Sequence, residues 1–232
     1  MNLTEVLGHP TRIHVQGEGP PLLLLGGWTR PLESWKSFAD ALPGRTLISF
    51  DAPGVGASPT PALPLPMSAL AELAGAVMDE TGFEQADVLG YSHGGAVAQQ
   101  LAISDPARVR RLILVSTLCG AGSVPASLQS LRSLTHQRGS PWPAPDAKGT
   151  LWRLLAIAGW TSIPFLHAIS APTLVVCGES DQVALPANSA HLARSIPGAR
   201  LVMLPGQDHD LQRGGPARLL AQVVEPFLDD HT

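Results

Sequence analysis

The sequence predicts an α/β fold, a mostly parallel sheet flanked by helices and interrupted once by a small helical insertion. Three observations predict it. Short apolar runs alternate with helix-length amphipathic stretches, the order expected when parallel strands are joined by helical crossovers. The runs are apolar at successive positions, as in strands buried on both faces. The alternation lapses over one stretch only, 118–170, which lies between two of the strand runs.

Taken in order, Thr11 to Gln16 is placed as an antiparallel edge strand, and Leu22 to Leu25, ending at Gly26-Gly27, as the first buried one. Thr46 to Phe50, Asp87 to Leu89, Val109 to Ser116, Thr173 to Cys177 and Arg200 to Leu204 follow. Helices are expected over Leu32 to Leu42, Met67 to Glu80, Gly95 to Ser104, Asn188 to Ile196 and Pro216 to Asp229. In the second of these, Leu70, Leu73, Ala74, Val77 and Met78 recur at helical spacing and make one apolar face. Within 118–170, Pro141-Trp142-Pro143 is a loop by its turn chemistry and Thr150 to Trp160 an amphipathic helix. The expected organisation is a core of 1–117 and 171–232, carrying a cap or lid of 118–170 over one end of the sheet.

Composition narrows the function classes. The 232 residues can bury one large core, and only 15% are charged against the roughly 25% of an average domain. That apolar balance excludes disorder. With 15 Lys and Arg against 19 Asp and Glu, the net charge of −4 leaves neither a nucleic-acid footprint nor a polybasic membrane patch. Cys119 and Cys177 cannot build a disulfide framework and are read as buried free thiols. The longest apolar run, near 20–27, is far short of the ~20 residues of a membrane span, and no signal-peptide pattern opens the chain. The expectation is a cytoplasmic protein, monomer or homodimer, with a hydrophobic small molecule as its partner. No His, Cys and carboxylate cluster has metal-ligand spacing and no glycine loop cradles phosphate, so no metal or cofactor is expected.

Gly90-Tyr91-Ser92-His93-Gly94 matches G-x-S-x-G, and its context matches too: a strand run precedes it and a helical pattern follows. Such a turn holds its serine in strained φ/ψ with neighbouring backbones close by, which the small Gly90, Gly94 and Gly95 permit. A serine hydroxyl is a poor nucleophile without a base oriented by a third group. For a turn of this kind the chain order is serine, acid, histidine. Asp181 lies just past the fifth buried strand run and His209 just past the sixth, both on the sheet edge where α/β ligand sites form. His14, His136, His167 and His191 have no comparable placement. An oxyanion hole needs two backbone donors: the N–H of His93, whose side chain is expected to point away from Ser92, and that of Trp28 after Gly26-Gly27. Trp28 with Trp142, Trp152, Trp160 and Phe165 supplies an aromatic lining suited to an acyl chain or ring.

These blocks resemble the α/β-hydrolase superfamily. Leu25-Gly26-Gly27-Trp28, the stretch from Asp51 through Gly54 and Gly56 to Ser58, and Gly90 to Gly95 carry the match, completed by the Asp181 and His209 blocks. Asp51, Gly54 and Gly56 are assigned to loop shape rather than chemistry. A closer resemblance is to intracellular medium-chain poly(3-hydroxyalkanoate) depolymerases, through 158–175, 51–61 and 94–100. The insertion is shorter than that family's cap, and His93 stands where those enzymes carry Trp. The resemblance implies an α/β-hydrolase fold and a triad of Ser92, Asp181 and His209; the substrate is left open.

The expected function is a serine hydrolase cleaving a carboxylic ester, thioester or lactone through an acyl-enzyme on Ser92, with activity falling at acid pH as His209 protonates. The alternative keeps fold and triad for C–C bond cleavage, elimination, cyclisation or acyl transfer. A third reading, a non-catalytic binding module, conflicts with three catalytic residue types standing in register.

Overall fold

The structure is a computed structural model and describes residues 2–124 and 146–230. A small antiparallel hairpin opens it, β1 (Thr4–Val6) and β2 (His9–Thr11), turning through Leu7 and Gly8 at positive φ. The remaining strands form one seven-stranded sheet. These are β3 (Ile13–Gln16), β4 (Pro21–Leu25), β5 (Thr46–Phe50), β6 (Ala86–Tyr91), β7 (Val109–Val115), β8 (Thr173–Gly178) and β9 (Arg200–Leu204), in the spatial order β3-β5-β4-β6-β7-β8-β9. β3 is an antiparallel edge on β5 and every other pairing is parallel.

Side-chain alternation explains why the strands are apolar at nearly every position. Leu23 and Leu25 of β4 enter one core layer with Ile48, Val88, Leu112 and Val175. Leu22 and Leu24 enter the opposite layer with Leu47, Leu89, Ile113 and Val176. The first layer is covered by α2 (Met67–Glu80) and α3 (His93–Ser104). The stripe expected on α2 is the buried one, and each of Leu70, Leu73, Val77 and Met78 contributes about 1.5–3 kcal/mol by leaving water. The second layer is covered by α1 (Lys36–Ala39) and α6 (Gly214–Asp229), through Phe38, Leu220, Val224 and Phe227. α5 (Pro186–Ser195) joins β8 to β9.

Three expected elements differ most. The Thr11 to Gln16 edge strand is divided, Thr11 ending β2 and Ile13–Gln16 forming β3. The Leu32 to Leu42 helix is a 3₁₀ turn, Leu32–Trp35, leading into the four-residue α1. It is tied down by tertiary contacts, with Asp51 Oδ1 accepting from Leu32 N at 2.8 Å. The same carboxylate accepts from Ala57 N at 2.8 Å through Oδ2, the loop-shaping role expected of Asp51.

Between β7 and β8, α4 (Ala147–Ala158) is capped by Asp146, whose carboxylate accepts from Lys148 N and Gly149 N. It starts three residues ahead of the expected Thr150 to Trp160 helix. α4 lies on the loop after β5: Gly149 packs against Gly54, and Arg153 Nη1 donates to the Pro53 carbonyl at 3.1 Å. Among the described residues no helix is long and apolar enough to cross a membrane.

Strand order places the site. The chain leaves β4 for β5 on one side and crosses back to β6 on the other, so the carboxyl ends of β4 and β6 flank a topological switch point, where open α/β sheets bind ligands. Leu25 and Gly90 are register partners, so the loop carrying Trp28 and the turn at Ser92 leave neighbouring strand ends.

Candidate active site

β6 ends at Tyr91 and α3 starts at His93, leaving Ser92 alone to turn the chain. It does so at φ 53° and ψ −117°, a sparsely populated conformation costing of order 1–3 kcal/mol. The surroundings hold it: Ser92 N donates to Val115 O at 2.9 Å, and Thr117 Oγ1 donates to Ser92 O at 2.6 Å. The flanking glycines are required by close approach. A Cβ on Gly94 would sit 2.2 Å from the Leu25 carbonyl oxygen, and one on Gly90 2.5 Å from that of Gly94.

Asp181 follows β8 and is fully buried. Its Oδ1 accepts from Val183 N at 2.8 Å and Ala184 N at 2.9 Å, which fixes the carboxylate plane. His209 follows β9, with Nδ1 2.9 Å from Asp181 Oδ2 and Nε2 3.1 Å from Ser92 Oγ. Because a carboxylate only accepts, Nδ1 carries the proton by assignment from this network, and the Nε2 lone pair faces the serine hydroxyl. The Tyr91 hydroxyl donates to the His209 carbonyl at 2.7 Å. The structure therefore brings together the three side chains expected to meet, from the ends of β6, β8 and β9.

Beside Ser92 opens a cavity of about 560 Å³, lined among others by Trp28, Leu118, Leu154, Ile157 and Val183. That size suits a small organic ligand, typically held in about 300–1,000 Å³. His93 opens α3, so its N–H is among the first-turn donors that have no intrahelical acceptor. Trp28 meets the His93 ring edge to face, with centroids 5.7 Å apart.

Of the aromatic residues expected at the cavity, Trp28 lines it and three others do not. Trp152 donates its indole N–H to Pro61 O at 3.2 Å, and Trp160 donates to Gln100 Oε1 at 2.7 Å while packing into the core layer beneath α3. Phe165, in the 3₁₀ turn Ile163–Ala168, is 52% exposed. A buried or half-buried indole N–H needs an acceptor, and both tryptophans find one away from the cavity, which fixes their rings there. Among the described residues, this segment lines the cavity with Leu118, Val124, Leu154 and Ile157 instead. Trp142 lies outside the described residues.

Two side chains at the site escaped sequence reasoning. His93 is among the residues lining the cavity, and burial first, then nearby Arg153, push its imidazole down to about 3, leaving it neutral. Arg153 of α4 is 4% exposed, and burial lowers its guanidinium to about 10. One signal existed: Gly149, Arg153 and Ala156 share a helical face, so small residues flank the arginine on the side that packs.

This chain belongs to the alpha/beta hydrolase fold family, whose profile matches residues 20–139. It is thus an enzyme of the hydrolase class. It is 34% identical to the poly(3-hydroxyalkanoate) depolymerase of Ectopseudomonas oleovorans, over 90% of this chain and 84% of that protein. Among solved structures it is similar to a hydrolase from Pseudomonas aeruginosa PA01, at 26% identity and TM-score 0.86, over 98% of both chains. The enol-lactonase of Burkholderia xenovorans LB400 shares the fold at TM-score 0.86 and 22% identity, over 98% of this chain and 100% of that one.

Proposed function

We propose that the protein is a serine hydrolase that cleaves a carboxylic ester, thioester or lactone of a hydrophobic small molecule. The observation that carries the reading is the relay of two contacts, Asp181 Oδ2 to His209 Nδ1 at 2.9 Å and His209 Nε2 to Ser92 Oγ at 3.1 Å, at the mouth of an apolar cavity. His209 takes the serine proton as Oγ attacks the carbonyl carbon, and Asp181 stabilises the resulting imidazolium. The backbone N–H groups of Trp28 and His93 receive the developing oxyanion, each such donor being worth of order 10²–10³ in rate. His209 then protonates the leaving oxygen or sulfur. Water, activated by the same imidazole, cleaves the acyl-enzyme and restores Ser92.

In this reading 118–170 is a cap over the cavity, contributing Leu118, Leu154 and Ile157 to its wall. The apolar wall supports an acyl chain as the recognised part. A series of p-nitrophenyl esters of increasing chain length tests this. kcat/KM is expected to rise about fourfold per methylene, the equivalent of ~0.8 kcal/mol, until the cavity is filled. A flat series contradicts the acyl-chain assignment. Turnover in ¹⁸O-water is expected to place the label in the carboxylic acid product; an unlabelled product favours elimination or acyl transfer.

A further inference from the structure

Buried arginines elsewhere in this fold meet carboxylates. Arg45 reaches Asp87 at 3.2 Å, and Arg30 reaches Asp210 at 3.1 Å. Arg153 is buried as deeply and meets none among the described residues. Its Nη1 donates to the Pro53 carbonyl at 3.1 Å, while Nε and Nη2, both shielded from solvent, have no hydrogen-bond partner. Asp146 acts on this charge only through space; a buried guanidinium without a hydrogen-bonded carboxylate is costly, and a native fold that retains one needs a reason.

The surroundings supply one. Arg153 and His93 border a recess of about 30 Å³, together with Gly27, Arg30, Pro53 and Val97. Such a volume is more than one water requires. The His93 ring also lacks a partner at Nε2 and borders both this recess and the larger cavity at Ser92. Arg30, on the same wall, is already committed to Asp210. The Arg153 side chain, its Nε and Nη2 without partners, thus borders a small space that is also bordered by His93, the residue after the nucleophile. Guanidinium forks match carboxylates in geometry and charge.

We propose that this recess is a carboxylate subsite: Arg153, with His93 beside it, receives a carboxylate carried by the substrate, on the Gly27 side of Ser92. The proposal rests on the hydrolase reading above and deepens it. The preferred substrate is an ester or lactone bearing a free carboxylate a short span from the scissile carbonyl, with the aliphatic remainder in the larger cavity.

The test compares monomethyl esters of the four- to eight-carbon dicarboxylic acids with their dimethyl esters, on wild type, Arg153→Met and Arg153→Lys. Wild type is expected to favour the best half-ester at least tenfold in kcat/KM, mainly through KM. Arg153→Met is expected to erase that margin while its rate on the diester stays within about threefold. Arg153→Lys, which keeps the charge without the fork, is expected to retain part of it. The Tm of Arg153→Met is expected to be equal or higher, because removing an unpaired buried charge relieves the fold; a structural arginine would lower it. Calorimetry on Ser92→Ala is expected to show tighter binding of the half-ester than of the diester, and no such margin in Ser92→Ala/Arg153→Met. Equal losses on both substrates, or a wild-type preference for the diester, overturn the subsite and leave the hydrolase reading standing. Failure to turn over either ester, with Ser92 inert to acylating probes, overturns both.

Discussion

The Tyr91 hydroxyl donates to the main-chain carbonyl of His209 at 2.7 Å, so the residue before the serine anchors the backbone of the histidine that faces it. The two rings lie 5.4 Å apart, and burial raises the tyrosine hydroxyl, which keeps its proton for donation at any working pH. One strand end thereby carries both the serine and the anchor of the loop after β9.

Tyr91→Phe separates these roles. It removes one buried hydrogen bond and leaves a carbonyl without its donor, a loss of about 1–2 kcal/mol in stability. Because the anchor positions His209 rather than the substrate, kcat is expected to fall roughly tenfold with KM nearly constant. Urea unfolding and steady-state kinetics on one ester measure both. Unchanged kcat contradicts a positioning role for the tyrosine.

Gly94→Ala tests the close packing of the turn. The added methyl would stand 2.2 Å from Leu25 O and 2.6 Å from Gly26 O, both backbone atoms that cannot rotate aside. Overpacking of this kind costs about 1–3 kcal/mol or more, a Tm drop of several degrees in a protein of this size. Activity is expected to fall further than stability, since the shifted strands carry Trp28 and Ser92. Wild-type melting and turnover would refute the crowding argument.

His93 gives stability a pH dependence of definite sign. Burial, with Arg153 nearby, pushes its imidazole from 6.5 down to about 3. Between those values the unfolded chain binds a proton that the native state excludes. The contribution is therefore complete above pH 6.5 and is lost as the pH falls towards 3, at about 1.4 kcal/mol per unit. His93→Gln lacks that titration, and between pH 7 and pH 4 it is expected to lose about 3 kcal/mol less stability than wild type. Parallel stability curves would contradict the buried neutral imidazole.

How much was legible depends on whether local pattern or tertiary contact decided the outcome. The buried strands were legible because burial on both faces writes itself as unbroken apolar runs, as in β4 and β5. α2 was legible to its ends, Met67 and Glu80, because one-sided burial imposes the helical period. Ser92 was legible because a strained serine turn requires Gly90 and Gly94 at fixed spacing. The β1–β2 hairpin was not: three-residue strands carry too few alternations to register. Trp152 and Trp160 were misplaced because their composition suits a ligand wall, whereas the acceptors that orient them, Pro61 O and Gln100 Oε1, come from distant segments. Arg153 was not legible as a site residue: Gly149 and Ala156 mark a packed face of α4, but Pro53 and His93, which border its recess, come from distant segments.

The central claim is that Ser92 is a nucleophile made reactive by His209, itself held by Asp181. Reaction with a fluorophosphonate, read by peptide mass spectrometry, measures this directly. The account predicts a single adduct on Ser92, absent in Ser92→Ala and formed at least 10³-fold more slowly in His209→Gln, as for other triads stripped of one member. An adduct on another residue, or a His209→Gln protein labelled as fast as wild type, would contradict it.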